Sequence, residues 1–579
     1  MLHPGPASPK RWFLRTADES LVTSLALELK LPPLLARILV QRGFGEVGAA
    51  RRFLSSTLAA DLPSPFLLAG MEAAVLRISK ALLEDEKVCV WGDYDVDGTT
   101  GAAVLVSFLR ELGMAPLFYI PHRIDEGYGL SREGLEALHS QGVRLVVSVD
   151  CGISNADEVA FGRELGLDLV IVDHHLLPER LPTAAVAIIN PQRTDCEFPD
   201  KGLCGAGLAF YLVIGLRAKL KSTGWFENRE VPDIRRHLDI VTLGTIADMV
   251  PLCGTNRVLT RRGLVELSAS QRPGIQALRK VAGVSPGDID VGTVAFQLGP
   301  RINAAGRMDA ALKVVEMLTT DSLEAATEIA QELDSHNRER RETEAQVLAE
   351  ALAQIEAKQM ANGWSIVVGD QGWHPGVLGI VASRIVERFH RPTIVVGFAD
   401  GEGKGSGRSI RGFHMVQGME RCADLLGKFG GHEFAGGLSM AETNLESFVD
   451  RFEQVAQEVL SEEDLRPLLE VDAEVNFSEI SLGVARSLSA LGPFGIGNPE
   501  PVFQTTGVEI SDRRDFKGVT RFRLTHEGLS VTAVAFGRPD SLPGRTKDRV
   551  DIAYKLKENE WQGTVALELR LVDLREAGR

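Results

Sequence analysis

Cysteine is scarce and unpatterned in this chain of 579 residues: Cys89, Cys151, Cys196, Cys204, Cys253 and Cys422 never fall into CxxC spacing. That excludes a zinc ribbon and a disulfide framework, and it points to a reducing, cytoplasmic setting. Long apolar runs are missing too. None approaches the roughly 18 residues a membrane span needs, and the polar, proline-bearing opening 1–9 lacks the apolar stretch of a signal peptide, so no membrane partner is expected. A surplus of basic residues is likewise absent. The net charge of −16 argues by itself against a phosphate-backbone ligand. Total charge misleads, however, where acids gather around cations, and Arg235-Arg236, Arg261-Arg262, Arg338, Arg340-Arg341 and Arg513-Arg514 leave a local basic groove open. No internal repeat is visible.

What the sequence does contain is Trp91-Gly-Asp-Tyr-Asp-Val-Asp-Gly98, three aspartates on alternate residues directly after the apolar run Val88-Cys89-Val90. Asp93, Asp95 and Asp97 at a strand's end would repel one another unless cations neutralise them, which predicts a metal site. Two further clusters follow apolar runs in the same way: Leu145–Val149 leads into Asp150-Cys-Gly152, and Leu169–Val172 into Asp173-His174-His175. Asp248 is a fourth candidate. In a parallel α/β sheet, ligands bind beyond the carboxyl ends of the strands, so these motifs are expected to converge.

The length suggests about three or four domains at ~100–200 residues each. Short helical patterns punctuated by prolines occupy 1–84, an N-terminal helical cap. Alternating strand and helix patterns over 85–320 predict βαβ units and a mainly parallel sheet. Asp321 followed by Glu324 resembles a capping box, opening a long connecting helix over 321–362. Its charges, including Asn337-Arg-Glu-Arg-Arg341, fit a solvated face or a nucleic-acid contact. Buried-strand patterns at Ser365–Gly369 and Thr393–Gly397 mark a second, smaller α/β domain, 363–464. Short alternating strands over 465–579 suit a small β-barrel.

Asp93-x-Asp95-x-Asp97-Gly98 also matches the opening of an EF-hand, but its twelfth position is Val104 rather than Glu and the flanking segment is strand-like, so that reading fails. Carboxylates with imidazole and no thiolate suit Mn²⁺ or Mg²⁺, and two such ions can drive phosphoester hydrolysis. Adjacent side chains in an extended chain face opposite ways, which assigns His174 to metal and His175 to the substrate phosphate or leaving oxygen. Gly403-Lys-Gly-Ser-Gly-Arg-Ser-Ile-Arg411 is either a phosphate cradle or a mobile surface hairpin. Arg123, in Pro121-His-Arg123, is either a terminal-phosphate anchor or a surface ion pair.

Asp93-Tyr-Asp-Val-Asp-Gly-Thr-Thr100, Val149-Asp-Cys-Gly152, Asp173-His-His175 and Gly244-Thr-Ile-Ala-Asp-Met-Val-Pro-Leu252 resemble successive motifs of the DHH phosphoesterase superfamily. Gly299-Pro-Arg-Ile-Asn-Ala-Ala-Gly-Arg307, Gly430-Gly-His-Glu-Phe-Ala-Gly-Gly437 and Gly492-Pro-Phe-Gly-Ile-Gly-Asn-Pro-Glu-Pro-Val-Phe503 are similar to later motifs of its bacterial single-stranded-DNA-specific 5′→3′ exonucleases. The resemblance covers nearly the whole chain, Arg42-Gly43 and Arg52-Phe-Leu54 included.

The resemblance implies an α/β fold: a parallel-sheet DHH domain and a smaller α/β DHH-associated domain joined by a long helix, with a C-terminal OB-like β-barrel. It implies metal ligands at Asp95, Asp97, Asp150, His174 and Asp248, with Asp150 bridging two ions of Mn²⁺ or Mg²⁺ and Asp93 as a further candidate. Asp173 would orient His174. Ser406, Arg408, Ser409 and Arg411, with Gly431 and His432, would hold phosphate, and Arg301, Asn303 and Arg307 would reach the same path. Lys517, Arg521, Phe522 and Arg523 are candidate strand contacts on the barrel. The implied activity is stepwise release of 5′-mononucleotides from single-stranded DNA in repair and recombination, by a monomer that meets a single-strand-binding protein and a helicase. Two rivals remain at this point: a DHH phosphoesterase for pyrophosphate, cyclic dinucleotides or very short oligonucleotides, and a related DNA-binding scaffold that does not cut.

Overall fold

The computed structural model describes residues 10–122, 126–287, 289–306, 311–516, 518–536, 547–561 and 563–578. The chain opens with a short strand, β1 (Arg11–Leu14), and passes through helices to five strands that form one parallel sheet. These are β2 (Val88–Gly92), β3 (Leu117–Tyr119), β4 (Leu145–Val149), β5 (Asp168–Val172) and β6 (Ala187–Ile189), in the spatial order β3-β2-β4-β5-β6. Their near-continuous apolar sequences are what a sheet covered on both faces requires. Val90, Val147 and Val170 pack with helices Met71–Leu83, Val96–Glu111, Gly205–Ser222 and Leu238–Ala247, while Cys89, Val146 and Ile171 pack on the other face with Leu135, Leu138 and Val159. The strand order reverses beside β2, and the crevice at such a switch point is where α/β sheets bind ligands.

Two compact units emerge, and each is discontinuous in sequence. One comprises 51–337 with 489–500; the other comprises 1–50, 338–488 and 501–579. The expected helical cap over 1–84 is therefore corrected. Its first part carries β1, which pairs in parallel with β12 (Leu468–Val471) of the second unit, whereas its last helix packs into the core of the first. Trp12 explains the strand: its indole N–H donates to Asp573 at 2.8 Å and Arg575 lies 4.1 Å above its ring. The long helix runs over Leu323–Ala357, and its first turn is capped by Ser322, whose hydroxyl accepts the Ala325 amide at 3.2 Å, one residue later than the Asp321 box predicts.

In the second unit, β7 (Ile366–Gln371), β8 (Thr393–Ala399), β9 (Glu402–Arg408), β10 (Phe429–Gly431) and β11 (Ala435–Ala441) form a mixed sheet in the order β10-β11-β9-β8-β7. The glycine-rich stretch is thus no surface hairpin: β9 is its central strand. Glycines permit the crowding, since a Cβ on Gly407 would stand 2.7 Å from the Met415 sulfur. Beyond the short β13 (Ala473–Glu474), the strands β14 (Phe503–Phe516), β15 (Val519–His526), β16 (Leu529–Phe536), β17 (Arg549–Trp561) and β18 (Thr564–Glu576) close into a five-stranded barrel through the β14–β17 pairing.

One buried cation holds the excursion 489–500 to the first unit. Arg257, 2% exposed, donates to the carbonyls of Phe53 (2.8 Å), Ala490 (3.1 Å) and Gly492 (2.9 Å) and lies 3.7 Å over the Phe53 ring. Charged donors to buried carbonyls are worth more than neutral ones. Arg257→Met keeps most of the apolar stem and removes every donor, and is expected to cost about 3 kcal/mol. Thermal unfolding should show a lower midpoint, partly recovered in Arg257→Lys; an unchanged midpoint would refute the anchoring role.

Candidate metal centre

Gly92, Val149 and Val172 are register partners across β2, β4 and β5, so the residues that follow them, Asp93, Asp150 and Asp173, emerge side by side at one end of the sheet. Asp95 caps the helix Val96–Glu111, accepting the Gly98 amide at 3.0 Å. Asp97 lies buried in that helix's first turn and accepts the amides of Gly205 and Ala206 (2.8 Å for Ala206) at the start of another helix, where backbone N–H groups favour an anion. Two glycines allow this approach. A Cβ on Gly205 would stand 2.6 Å from the Asp150 Cβ, and one on Gly244 would stand 2.9 Å from Asp97 Oδ1. Asp248 stands at the end of the helix Leu238–Ala247, and its Oδ2 reaches the same cluster.

The side chains converge on His174. Its Nε2 lies 3.1 Å from Asp150 Oδ1 and 3.8 Å from both Asp97 Oδ2 and Asp248 Oδ2. Three groups bring ligand atoms within 4.8 Å of one another: Asp150–His174–His175, Asp97–His174–Asp248 and Asp93–Asp95–Asp150. Asp150 belongs to two of them. A cleft of about 340 Å³, lined by Asp93, Asp95, Tyr128, Asp150, His175 and Asp248 among others, opens onto this cluster.

Two details correct the expectations. The chain bends after β5 instead of staying extended, so both histidine rings face the carboxylates, their centroids 4.6 Å apart. And Asp173 holds His175, not His174: its Oδ1 is 2.7 Å from His175 Nδ1 and accepts the His175 amide at 3.1 Å, the local turn an aspartate forms with the amide two residues on. The His175 carbonyl accepts from the buried Asn190 at 2.9 Å. His175 is thus fixed at ring and backbone alike.

Burial dominates the electrostatics. It raises the carboxyls of Asp97 and Asp150 above the ordinary aspartate range, neighbouring carboxylates adding to the rise at Asp150, and it pushes Asp248 up to about 9. Burial lowers the His174 imidazole, so that ring offers a lone pair. For Asp173 burial acts upward, but the His175 bond and two backbone amides outweigh it and hold the carboxyl low; the same partnership raises His175 against burial. Asp150 Oδ1 and Asp248 Oδ2 are buried and accept no hydrogen bond among the described residues. Oxygens without donors, one deprotonated imidazole and no thiolate in the cluster fit Mn²⁺ or Mg²⁺. Cys204 is close, but its sulfur accepts the Gly207 amide as a helix cap and burial keeps it a thiol.

Of the remaining candidates, Asn303 lines the cleft, whereas Arg301 turns away into an ion pair with Asp334 at 2.9 Å. Arg123, Arg307 and Lys517 lie outside the described residues. In the second unit Arg408 contacts Ser406 Oγ at 3.1 Å, and both pack on Gly379 of the helix Pro375–Phe389. Burial lowers the Arg408 guanidinium, and no carboxylate pairs with it among the described residues. The Ser409 hydroxyl donates to the Phe413 carbonyl, Arg411 and His432 are exposed, and Gly431 adopts φ +141° at the end of β10. On the barrel, Arg521 and Arg523 are exposed, but Phe522 is 1% exposed: alternation along β15 turns it inward, which removes it as a stacking surface. The sequence reading missed the parts played by Tyr128, Asn190, Gly205 and Gly244. Two of them carried a signal: Gly244 opens the quoted motif that ends in Leu252, and Tyr128 is an aromatic between two glycines just after Pro121-His-Arg123.

A carboxyl whose pKa is raised by folding keeps its proton where the unfolded chain has lost it. Metal-free stability should therefore fall as pH climbs from the unfolded aspartate value of about 3.9 towards about 9, where Asp248 ionises, and then level off. In EDTA, the thermal midpoint of Asp248→Asn relative to the wild type should rise across pH 5–9. A constant difference would show that Asp248 does not carry this strain.

Residues 87–245 match the N-terminal domain of the DHH family, 345–458 the DHHA1 domain and 471–573 the RecJ OB domain. The chain is 39% identical over 577 residues to the single-stranded-DNA-specific exonuclease RecJ of Salmonella typhimurium, covering 97% of this chain and 98% of that one. Among solved structures, RecJ of Thermus thermophilus in complex with Mn²⁺ is 31% identical with a TM-score of 0.83, over 98% of this chain and 80% of that one, and its Mg²⁺ complex gives a TM-score of 0.76. Identity of this extent over both chains, with the metal-fitting cluster at the strand ends, shows that the chain belongs to the RecJ family of the DHH superfamily.

Proposed function

We propose that this protein is a metal-dependent exonuclease specific for single-stranded DNA, degrading it from the 5′ end and releasing 5′-mononucleotides. The observation that carries the proposal is the convergence of Asp97, Asp150, Asp248 and His174 with carboxylate oxygens left unsatisfied, in a chain that also carries the family's OB domain. The OB domain favours this reading over a DHH phosphoesterase of small nucleotides, and the retained ligand set favours it over a non-cutting scaffold.

Asp95, Asp97, Asp150, His174 and Asp248, with Asp93, are assigned as the residues that hold two divalent cations, and Asp150, shared by two of the clusters, as the bridge. Bound there, the ions supply charge neutralisation at the scissile phosphate and an acidified water. His175, fixed by Asp173, faces the cleft beside them and is assigned to the phosphate or leaving oxygen. Ser406 and Arg408 offer a hydroxyl and a guanidinium without an acidic partner, suited to a backbone phosphate. Working boundaries are 85–320, 321–362, 363–464 and 465–579, as expected from the sequence. Cysteines that all stay free support a reducing, cytoplasmic setting, and a monomer is the working assembly. Among the described residues, no helix is long and apolar enough to cross a membrane. An enzyme limited to unpaired strands depends on a strand-separating helicase upstream and meets single-strand-binding protein on its substrate.

A time course on single-stranded oligonucleotides labelled at either end tests this directly. Label should leave the 5′ end first with Mn²⁺ or Mg²⁺ and stay in place with EDTA, and Asp150→Ala should lose at least ~10³-fold in turnover, since removing a bridging ligand disturbs both ions. Release from the 3′ end, or near-normal turnover in a folded Asp150→Ala protein, would defeat the assignment. For the barrel, Arg521→Ala with Arg523→Ala should weaken binding to long single strands and lower the slope of log affinity against log salt by about 1–2. An unchanged slope would make the barrel a brace.

A further inference from the structure

Resting on that assignment, we propose that Tyr128 is a positioning residue of the reaction, its hydroxyl fastening the Asp150 backbone to the His175 ring. The hydroxyl donates to the Asp150 carbonyl at 2.9 Å and lies 3.1 Å from His175 Nδ1. Its single proton is committed to the carbonyl, so towards His175 the oxygen accepts. In the neutral ring Nδ1 then carries the proton, directed at Tyr128 and Asp173, and Nε2 keeps the lone pair. Asp150 needs such a fastening because it sits at φ +65°, a left-handed conformation that a non-glycine residue holds only when its surroundings impose it. Losing the donor frees the one carbonyl whose peptide sets the direction of the bridging carboxylate.

The loop is built to deliver this hydroxyl. Tyr128 stands between Gly127 (φ +83°) and Gly129 (φ +95°), and a Cβ on Gly129 would lie 2.3 Å from Asn155 Oδ1. Asn155 also binds the Leu130 amide at 3.2 Å and the Leu130 carbonyl at 3.3 Å, and its own amide donates to the Gly152 carbonyl at 3.1 Å. The tyrosine loop is thereby fixed to the same turn that carries Asp150. On its other side Glu126 accepts from the Tyr119 hydroxyl, the His122 amide and the Ser131 hydroxyl. The Tyr128 ring, 46% exposed, also meets His175 edge-on at 5.6 Å. Burial and surrounding carboxylates keep the phenol protonated as a donor.

Tyr128→Phe keeps the ring and removes the hydroxyl, whereas Tyr128→Ala removes both. Positioning predicts that Tyr128→Phe loses about ten-fold in kcat with KM for single-stranded DNA nearly unchanged, the size of one lost hydrogen bond. It also predicts weaker uptake of Mn²⁺ alone, by calorimetric titration of full-length protein without DNA. Tyr128→Phe at wild-type kcat and Mn²⁺ affinity, with Tyr128→Ala raised in KM, would overturn the proposal and make the ring a base-stacking surface. A lowered thermal midpoint with activity regained on cooling would equally overturn it, as a purely structural role. A wild-type protein without nuclease activity would instead count against the exonuclease assignment, which the Mn²⁺ titration of the two variants does not require.

Discussion

Asp97, Asp150 and Asp248 are gathered around one imidazole in a site that burial has largely removed from water, and the rest of the catalytic unit is arranged around that repulsion. Two like charges 4 Å apart cost about 4 kcal/mol each pair at an effective dielectric of 20, so several together rival the ~5–15 kcal/mol that holds a whole domain folded. The fold meets the demand with stiff surroundings. Two amides at a helix start take Asp97, a helix end aims Asp248, and glycines at 205 and 244 let backbones close to where no side chain fits. Protons or divalent cations supply what these dipoles leave uncompensated.

Much of this was legible in the sequence because it follows from periodicity. Apolar runs ending in acidic motifs are a signature of parallel strands with a site at their carboxyl ends, and Asp93, Asp150 and Asp173 stand there in register. What was not legible depends on local bends and long-range partners. His174 and His175 would diverge in an extended strand, but the chain turns after Val172 and brings both rings inside. Arg301 is drawn off by Asp334, thirty-three residues away, which no motif foretells. Phe522 turns inward for a different reason: its face follows from the strand's alternation once the barrel is closed, which composition alone does not reveal.

Charge, too, is set by partners that composition hides. Most of the paired arginines that suggested a basic groove are neutralised close by: Arg235 by Asp233, Arg236 by Glu111, Arg262 by Glu266, Arg340 by Glu344, Arg513 by Asp515 and Arg514 by Asp512. A strongly acidic protein that handles nucleic acid must then rely on a few guanidinium groups without acidic neighbours, placed where phosphates pass.

The interleaving of the two units has a temporal consequence. A ribosome delivers the chain from its amino end, yet residues 1–50 belong with segments as distant as 501–579. The parallel-sheet unit, for its part, awaits residues 489–500, whose carbonyls close over Arg257. During synthesis β1 must wait for β12, more than four hundred residues later, and Trp12 waits longer still for Asp573 and Arg575. Neither unit can be completed by an early segment alone: a chain stopped before residue 489 would carry two unfinished bodies, whereas one stopped just after residue 500 would have every segment of the parallel-sheet unit and still lack the barrel strand that Trp12 awaits.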